Sequence, residues 1–185
     1  MRLFYLFVFI IVSYSTALCT EFYSDFQGNK FSNLWSGETN HFAPNGSVLQ
    51  LQAPSDGKRS ALYTQCRIFD EATWELRFRM AFNPSGSNYL RFYMVSDSPD
   101  LKEDLNGYFV QVGNASDQIV LYRQSGTSIK KLASSEASRV NRDSLCITLK
   151  VQRAKGEWRV FAKINDEETF REECSARDTR AIIPA

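Results

Sequence analysis

The chain contains one histidine, His41, and neither a multi-histidine zinc site nor a zinc-protease helix can be built from a single imidazole. It also lacks an excess of charge of either sign. Lysine and arginine number 22 against 21 aspartates and glutamates, so no field holds a polyanion by counterion release, and nucleic acid is not an expected partner. The four cysteines include no Cys-x-x-Cys, which removes the usual dithiol redox motif and the metal knuckle. No proline- or serine-rich linker, internal repeat or sustained helical stripe divides the 185 residues, so a single domain is expected. The longest apolar run, Leu3 to Val12, has ten residues, about half of what a membrane-crossing helix needs.

That run follows Met1-Arg2 and gives way to Ser13, Tyr14, Ser15 and Thr16, then to Ala17-Leu18-Cys19. A short basic start, an apolar stretch and a small-residue end is the layout of a secretory signal peptide. The expectation is therefore a signal peptide over 1–19, cleaved after Ala17 or Cys19, and one domain over 20–185 with its core about 22–164. Cys19 also stands where a bacterial lipoprotein carries its lipid, although the bulky Leu18 before it argues against that use. Secretion or display at a bacterial cell surface follows. Three further cysteines, Cys66, Cys146 and Cys174, allow at most one internal bridge, whose pairing spacing does not reveal.

The remainder reads as strands. Thr73 to Phe82 alternates with period two, with Trp74, Leu76, Phe78, Met80 and Phe82 on one face and Glu75, Arg77 and Arg79 on the other. Leu145 to Gln152 and Glu157 to Ile164 repeat the pattern around Lys155-Gly156, which predicts an antiparallel hairpin. Ser47–Leu51, Tyr89–Ser96, Tyr108–Val112, Gln118–Arg123 and Ser128–Ala133 are strand-length segments bounded by turn residues. Ser135 to Asp143 has room for one helical turn. About ten strands without crossover helices exclude a parallel α/β fold and predict an all-β, two-sheet antiparallel β-sandwich of jelly-roll type.

Several stretches carry a resemblance: Phe22-Tyr23-Ser24-Asp25-Phe26, Leu34-Trp35-Ser36-Gly37, Ala72-Thr73-Trp74-Glu75, Asn83-Pro84-Ser85, Val95-Ser96-Asp97, Leu105-Asn106-Gly107-Tyr108-Phe109-Val110 and Leu121-Tyr122-Arg123-Gln124. In this order they resemble the N-terminal domain of secreted Bacteroidota proteins that often continue into a lamin-tail domain. The resemblance covers most of residues 22–164 and implies a laminin-G or concanavalin-A-like sandwich, a fold that hosts binders and glycanases alike. No lamin-tail segment precedes Ala185, so a stand-alone or truncated member is expected.

The hydrolytic relatives of that fold carry Glu-x-Asp-x-x-Glu or Glu-x-Asp-x-Glu strings, because glycoside cleavage uses two carboxylates across the sugar ring. Neither string occurs here. Glu71 and Glu75 are the nearest substitutes and read more simply as a charge-balanced outer face, so no catalytic residue is assigned and the chain is not expected to be an enzyme. His41 lacks a nucleophile elbow beside it and reads as a loop or strand-end residue. Asp97, Asp100, Glu103 and Asp104 gather in one turn, and oxygen ligands of this kind suit calcium, the cofactor toward which the resemblance also points. An acidic loop in which Asp97 and Asp100 cap their turns is the simpler reading.

Binding is better represented. Tyr89, Arg91 and Tyr93 share one strand face, with Gln111 and Tyr122 nearby, and tyrosine rings stack on sugar C–H faces while arginine and glutamine donate to hydroxyls. The competing reading makes these tyrosines core residues. A non-catalytic, lectin-like module for an extracellular glycan or surface protein leads, ahead of a glycoside hydrolase or an adhesive spacer cut from a larger protein. Asn45 and Asn114 head glycosylation triplets but read as turns.

Overall fold

Period-two alternation becomes strands almost wherever it is strict. The structure, a computed structural model, describes residues 4–10, 22–26, 34–54, 59–66, 70–101 and 104–180, the first of these segments by its backbone alone. Fourteen strands occur among the described residues: β1 Phe4–Ile10, β2 Phe22–Ser24, β3 Ser36–Gly37, β4 Phe42–Asn45, β5 Val48–Leu51, β6 Leu62–Tyr63, β7 Ala72–Met80, β8 Leu90–Ser96, β9 Leu105–Val112, β10 Ile119–Gly126, β11 Ser128–Ser134, β12 Leu145–Ala154, β13 Glu157–Ile164 and β14 Arg171–Arg177. A one-turn 3-10 helix spans Thr39–His41.

The strands form an antiparallel β-sandwich. The larger sheet runs β14-β13-β12-β7-β1-β5-β4, with β2 paired to β1, and the smaller is the meander β11-β10-β9-β8. β3 and β6 make a separate two-stranded ladder. Lys155 and Gly156, both at positive φ (51° and 78°), close the β12–β13 hairpin, as a two-residue turn matched to strand twist requires.

Residues 4–10 lie within the segment whose sequence reads as a signal peptide, and in the structure they form β1 between β5 and β7. A continuous apolar run meets both demands, since a strand in the middle of a sheet and a signal segment are alike rich in branched and aromatic residues. Residues 1–3 and 11–19 of the expected signal lie outside the described residues.

The inward sets of both sheets make one core. Trp74, Leu76, Phe78 and Met80 of β7 meet Leu145, Ile147, Leu149 and Val151 of β12 in register, and all are buried. Trp158 stacks on Trp74 at 5.9 Å and on Tyr108 of the smaller sheet at 4.6 Å, so one indole bridges the two layers. Trp35 is buried as well, against Phe22 and Phe26, and donates its indole N–H to Ser24 Oγ.

Three bulges adjust this pattern. The shift between Tyr93 and Val95 sends both Met94 and Val95 into the core. A second, between Leu121 and Tyr122, directs Leu132 and Ala133 of β11 toward it. The third, opposite Val160–Phe161, buries both Glu173 and Cys174 of β14. Glu173 meets the nearly buried Arg139 at 2.8 Å, and Arg123 of β10 reaches Asp178, just beyond β14, at 2.6 Å. Ion pairs thus join the smaller sheet and its following loop to the larger sheet's edge.

Candidate ligand-binding site

The residues singled out for binding lie on the outward side of the smaller sheet, which settles whether the opposing sheet covers them: it does not. Leu90, Phe92, Tyr108, Val110, Ile119 and Leu121 belong to the core, so alternation turns Arg91, Tyr93, Phe109, Gln111, Val120, Tyr122 and Gln124 the other way. Cross-strand register places Arg91 opposite Gln111, and Tyr93 and Tyr122 on either side of Phe109.

Phe109 organises the face. It is fully buried although it points away from the core, because its neighbours cover it. Tyr93 packs at 4.6 Å between ring centroids, Tyr122 stacks at 5.0 Å, and the Arg91 guanidinium lies 4.8 Å from the ring centre. Arg91 also sits 5.0 Å over Tyr89, with its Nε donating to Gln111 Oε1 at 2.9 Å. The Tyr93 hydroxyl donates to Gln124 Oε1 at 2.9 Å. Burial pushes the Tyr93 phenol above its ordinary pKa, opposed by the charges of Arg91 and Arg59. Burial likewise raises Tyr122, against Arg91. Tyr93 and Tyr122 are therefore neutral hydrogen-bonding rings at physiological pH.

Tyr89, Arg91, Tyr93 and Tyr122 are half-buried and retain accessible surface. Gln111 plays another part. It is buried, accepts from Arg91 and donates to the Gly113 carbonyl at 2.7 Å, so its amide holds Arg91 in place. Sequence reasoning passed over Gln124, which orients Tyr93, and Arg59, whose charge acts on the same ring. Gln124 was legible from the alternation of β10. Arg59 comes from a segment with no periodicity.

Among the described residues no group of three or more potential metal ligands is gathered at the acidic turn. Asp97 commits one carboxylate oxygen to the Asn106 backbone N–H and the other to the Asn106 side-chain amide, both at 2.7 Å. Asp97 is thus a loop cap, Asp100 and Asp104 are exposed, and Glu103 lies outside the described residues. Glu71 lies just before β7 and Glu75 on it, four positions apart and about 13 Å at the usual extended rise, which exceeds the carboxylate spacings of glycosidases. Glu75 lies opposite Lys150 in the ladder, on the outward side of the larger sheet.

His41 lies in the 3-10 turn with Nδ1 2.9 Å from Ser60 Oγ, tying the 59–61 segment to it. Asn45 leads into the turn at Gly46, and Asn114 Oδ1 accepts from the N–H groups of Ser116 and Gln118, so both triplets are at turns. Cys66, Cys146 and Cys174 are all free thiols. Burial pushes the Cys174 thiol up to about 12, which removes it from nucleophilic chemistry.

The chain matches no protein-family model, and no curated protein matches it. Among the described residues no helix is long and apolar enough to cross a membrane.

Proposed function

We propose that the protein is a secreted or cell-surface, non-catalytic module that recognises an extracellular carbohydrate on the outward side of its smaller sheet. The observation that carries this reading is the aromatic platform around Phe109, with Tyr89, Tyr93, Tyr122 and Arg91 held in fixed orientations by the sheet and by one another. Preorganised rings and a guanidinium reduce the ordering cost of binding, and their chemistry suits the alternating apolar and hydroxylated faces of a sugar.

The charge of the face narrows the ligand. Lys131 is exposed opposite Tyr122 in the ladder, Arg59 acts on Tyr93, and Arg91 lies between Tyr89 and Phe109. None of the outward-facing residues named on β8 to β11 is an aspartate or glutamate. An acidic glycan, carrying uronate or sulfate groups, complements this set better than a neutral one. The signal-like sequence of residues 1–19 and the resemblance to a laminin-G or concanavalin-A-like domain of secreted proteins support the same setting.

A glycan array probed with and without calcium tests the proposal. Saturable binding to acidic glycans that weakens as salt rises is the expected result. No response to any glycan, with calcium present, would overturn it.

A further inference from the structure

The outward face of the smaller sheet has an order across its strands as well as along them. One ladder row crosses all four strands: Tyr93 of β8 is opposite Phe109 of β9, Phe109 is opposite Tyr122 of β10, and Tyr122 is opposite Lys131 of β11. Arg91 starts on β8, but its guanidinium reaches over β9. It lies there 4.8 Å from the Phe109 ring centre, with Nε donating to Gln111 Oε1 at 2.9 Å. Phe109 itself is buried beneath these groups. Above the four strands, in spatial order, stand a phenol ring, a guanidinium, a second phenol ring and an ammonium. Aromatic and cation alternate. Among the described residues neither cation forms an ion pair: Arg91 is held by the neutral Gln111 amide, and Lys131 is exposed.

Strand spacing turns that order into a statement about the ligand. Neighbouring strands lie about 4.8 Å apart, close to the length of one pyranose residue, so a linear glycan crossing the strands sets successive sugars over successive strands. The two cations are two strands apart, about 10 Å, and meet every second sugar. The two tyrosines meet the sugars between. We infer that the platform selects a linear glycan in which acidic and neutral residues alternate, bound across the strands with its acidic groups on Arg91 and Lys131 and its neutral rings on Tyr93 and Tyr122. A neutral sugar offers C–H groups to the electron-rich face of a phenol ring, whereas an anion over that face is repelled. A carboxylate or sulfate over either cation gains a charge-assisted hydrogen bond. A chain that is acidic at every residue therefore loses on the tyrosines part of what it gains on the cations. The inference rests on the glycan recognition proposed above and specifies its ligand.

Calorimetric titration with two series of oligosaccharides tests it. In hyaluronan oligosaccharides glucuronate alternates with N-acetylglucosamine, and in oligogalacturonates of the same lengths every residue is acidic. Affinity for the alternating series is expected to rise up to the tetrasaccharide, which fills the four strands, and to exceed that for the matched oligogalacturonate about tenfold, the worth of one misplaced charge. Lys131→Gln, a change at an exposed position, weakens the alternating tetrasaccharide about fivefold, the loss of one exposed charge contact, and leaves the disaccharide nearly unaffected. Lys131→Arg restores the affinity. Equal or tighter binding of oligogalacturonate, a disaccharide bound as tightly as a tetrasaccharide, or wild-type affinity in Lys131→Gln would overturn the inference while leaving glycan recognition in place. Failure of both series to bind would overturn it as well, and the glycan array then decides whether recognition itself falls.

Discussion

Phe109 and Glu173 show how a single side chain can be set against the pattern around it. Phe109 is an apolar ring buried on the outward face, where Tyr93, Tyr122 and Arg91 cover it. Phe109→Ala should cost about 3–5 kcal/mol, as for other buried aromatic truncations, and should weaken glycan binding as well, because the three covering side chains lose their support. Denaturant melts and binding isotherms on the same sample check both effects. Glu173 is a carboxylate drawn inside by a bulge and matched by Arg139. Burial alone would lower the Arg139 pKa, yet hydrogen bonds to Glu173 and Glu167 raise it above its ordinary value. Glu173→Leu leaves a buried, incompletely compensated guanidinium and should destabilise the protein by about 3–5 kcal/mol. Denaturant melts of that variant and of Arg139→Met/Glu173→Leu test this: the double change recovers most of the loss.

At the scale of elements, strict alternation was readable and departures from it were not. The Glu157–Ile164 strand agrees with its sequence boundaries, and β7 differs from its expected span only at the ends, because every second residue there is apolar. The outward aromatic face was legible for the same reason: Tyr89, just before β8, shares its parity with Arg91 and Tyr93 on that strand. β14 was not legible, since Arg171-Glu172-Glu173-Cys174-Ser175-Ala176-Arg177 shows no alternation and its bulge inverts half of it. Arg153 and Arg123 were within reach, because each continues the inward parity of its strand, a position where a charged residue signals a buried polar cluster. The β12–β13 turn carries a prediction of its own. Gly156 has φ of 78°, and a Cβ there would lie 3.1 Å from the Asp178 carbonyl and from Thr179. Gly156→Ala should lower stability by at least about 1 kcal/mol, whereas Lys155→Asn should be nearly neutral, as paired thermal melts will show.

For the whole molecule, the ion pairs at the β14 edge set the acid limit. The hydrogen bond from Arg139 holds Glu167 below the usual carboxylate range. Burial opposes ionisation of Asp178, but the Arg180 N–H and Arg123 outweigh it and leave its pKa lowered. A carboxylate with a depressed folded pKa contributes stability above its unfolded pKa, about 4, and that contribution disappears as pH falls through the folded value. Melting temperature should therefore hold steady down to about pH 5 and fall below about pH 4; a decline that begins near neutrality would contradict this. Processing offers a second check at this scale, since Phe4–Ile10 fits both a signal segment and β1. Intact mass of the protein produced in a secretion-competent host is expected to show a new N-terminus at Leu18 or Thr20, and an N-terminus at Met1 would assign the segment to the sheet.

Affinity electrophoresis through gels containing an acidic polysaccharide tests most directly whether the Phe109 platform is a recognition surface. The wild-type protein should be retarded, and Arg91→Ala/Tyr122→Ala, folded by its melting profile, should migrate as it does in a plain gel. Equal retardation of both proteins, or of neither across uronate and sulfated polysaccharides, would contradict the account.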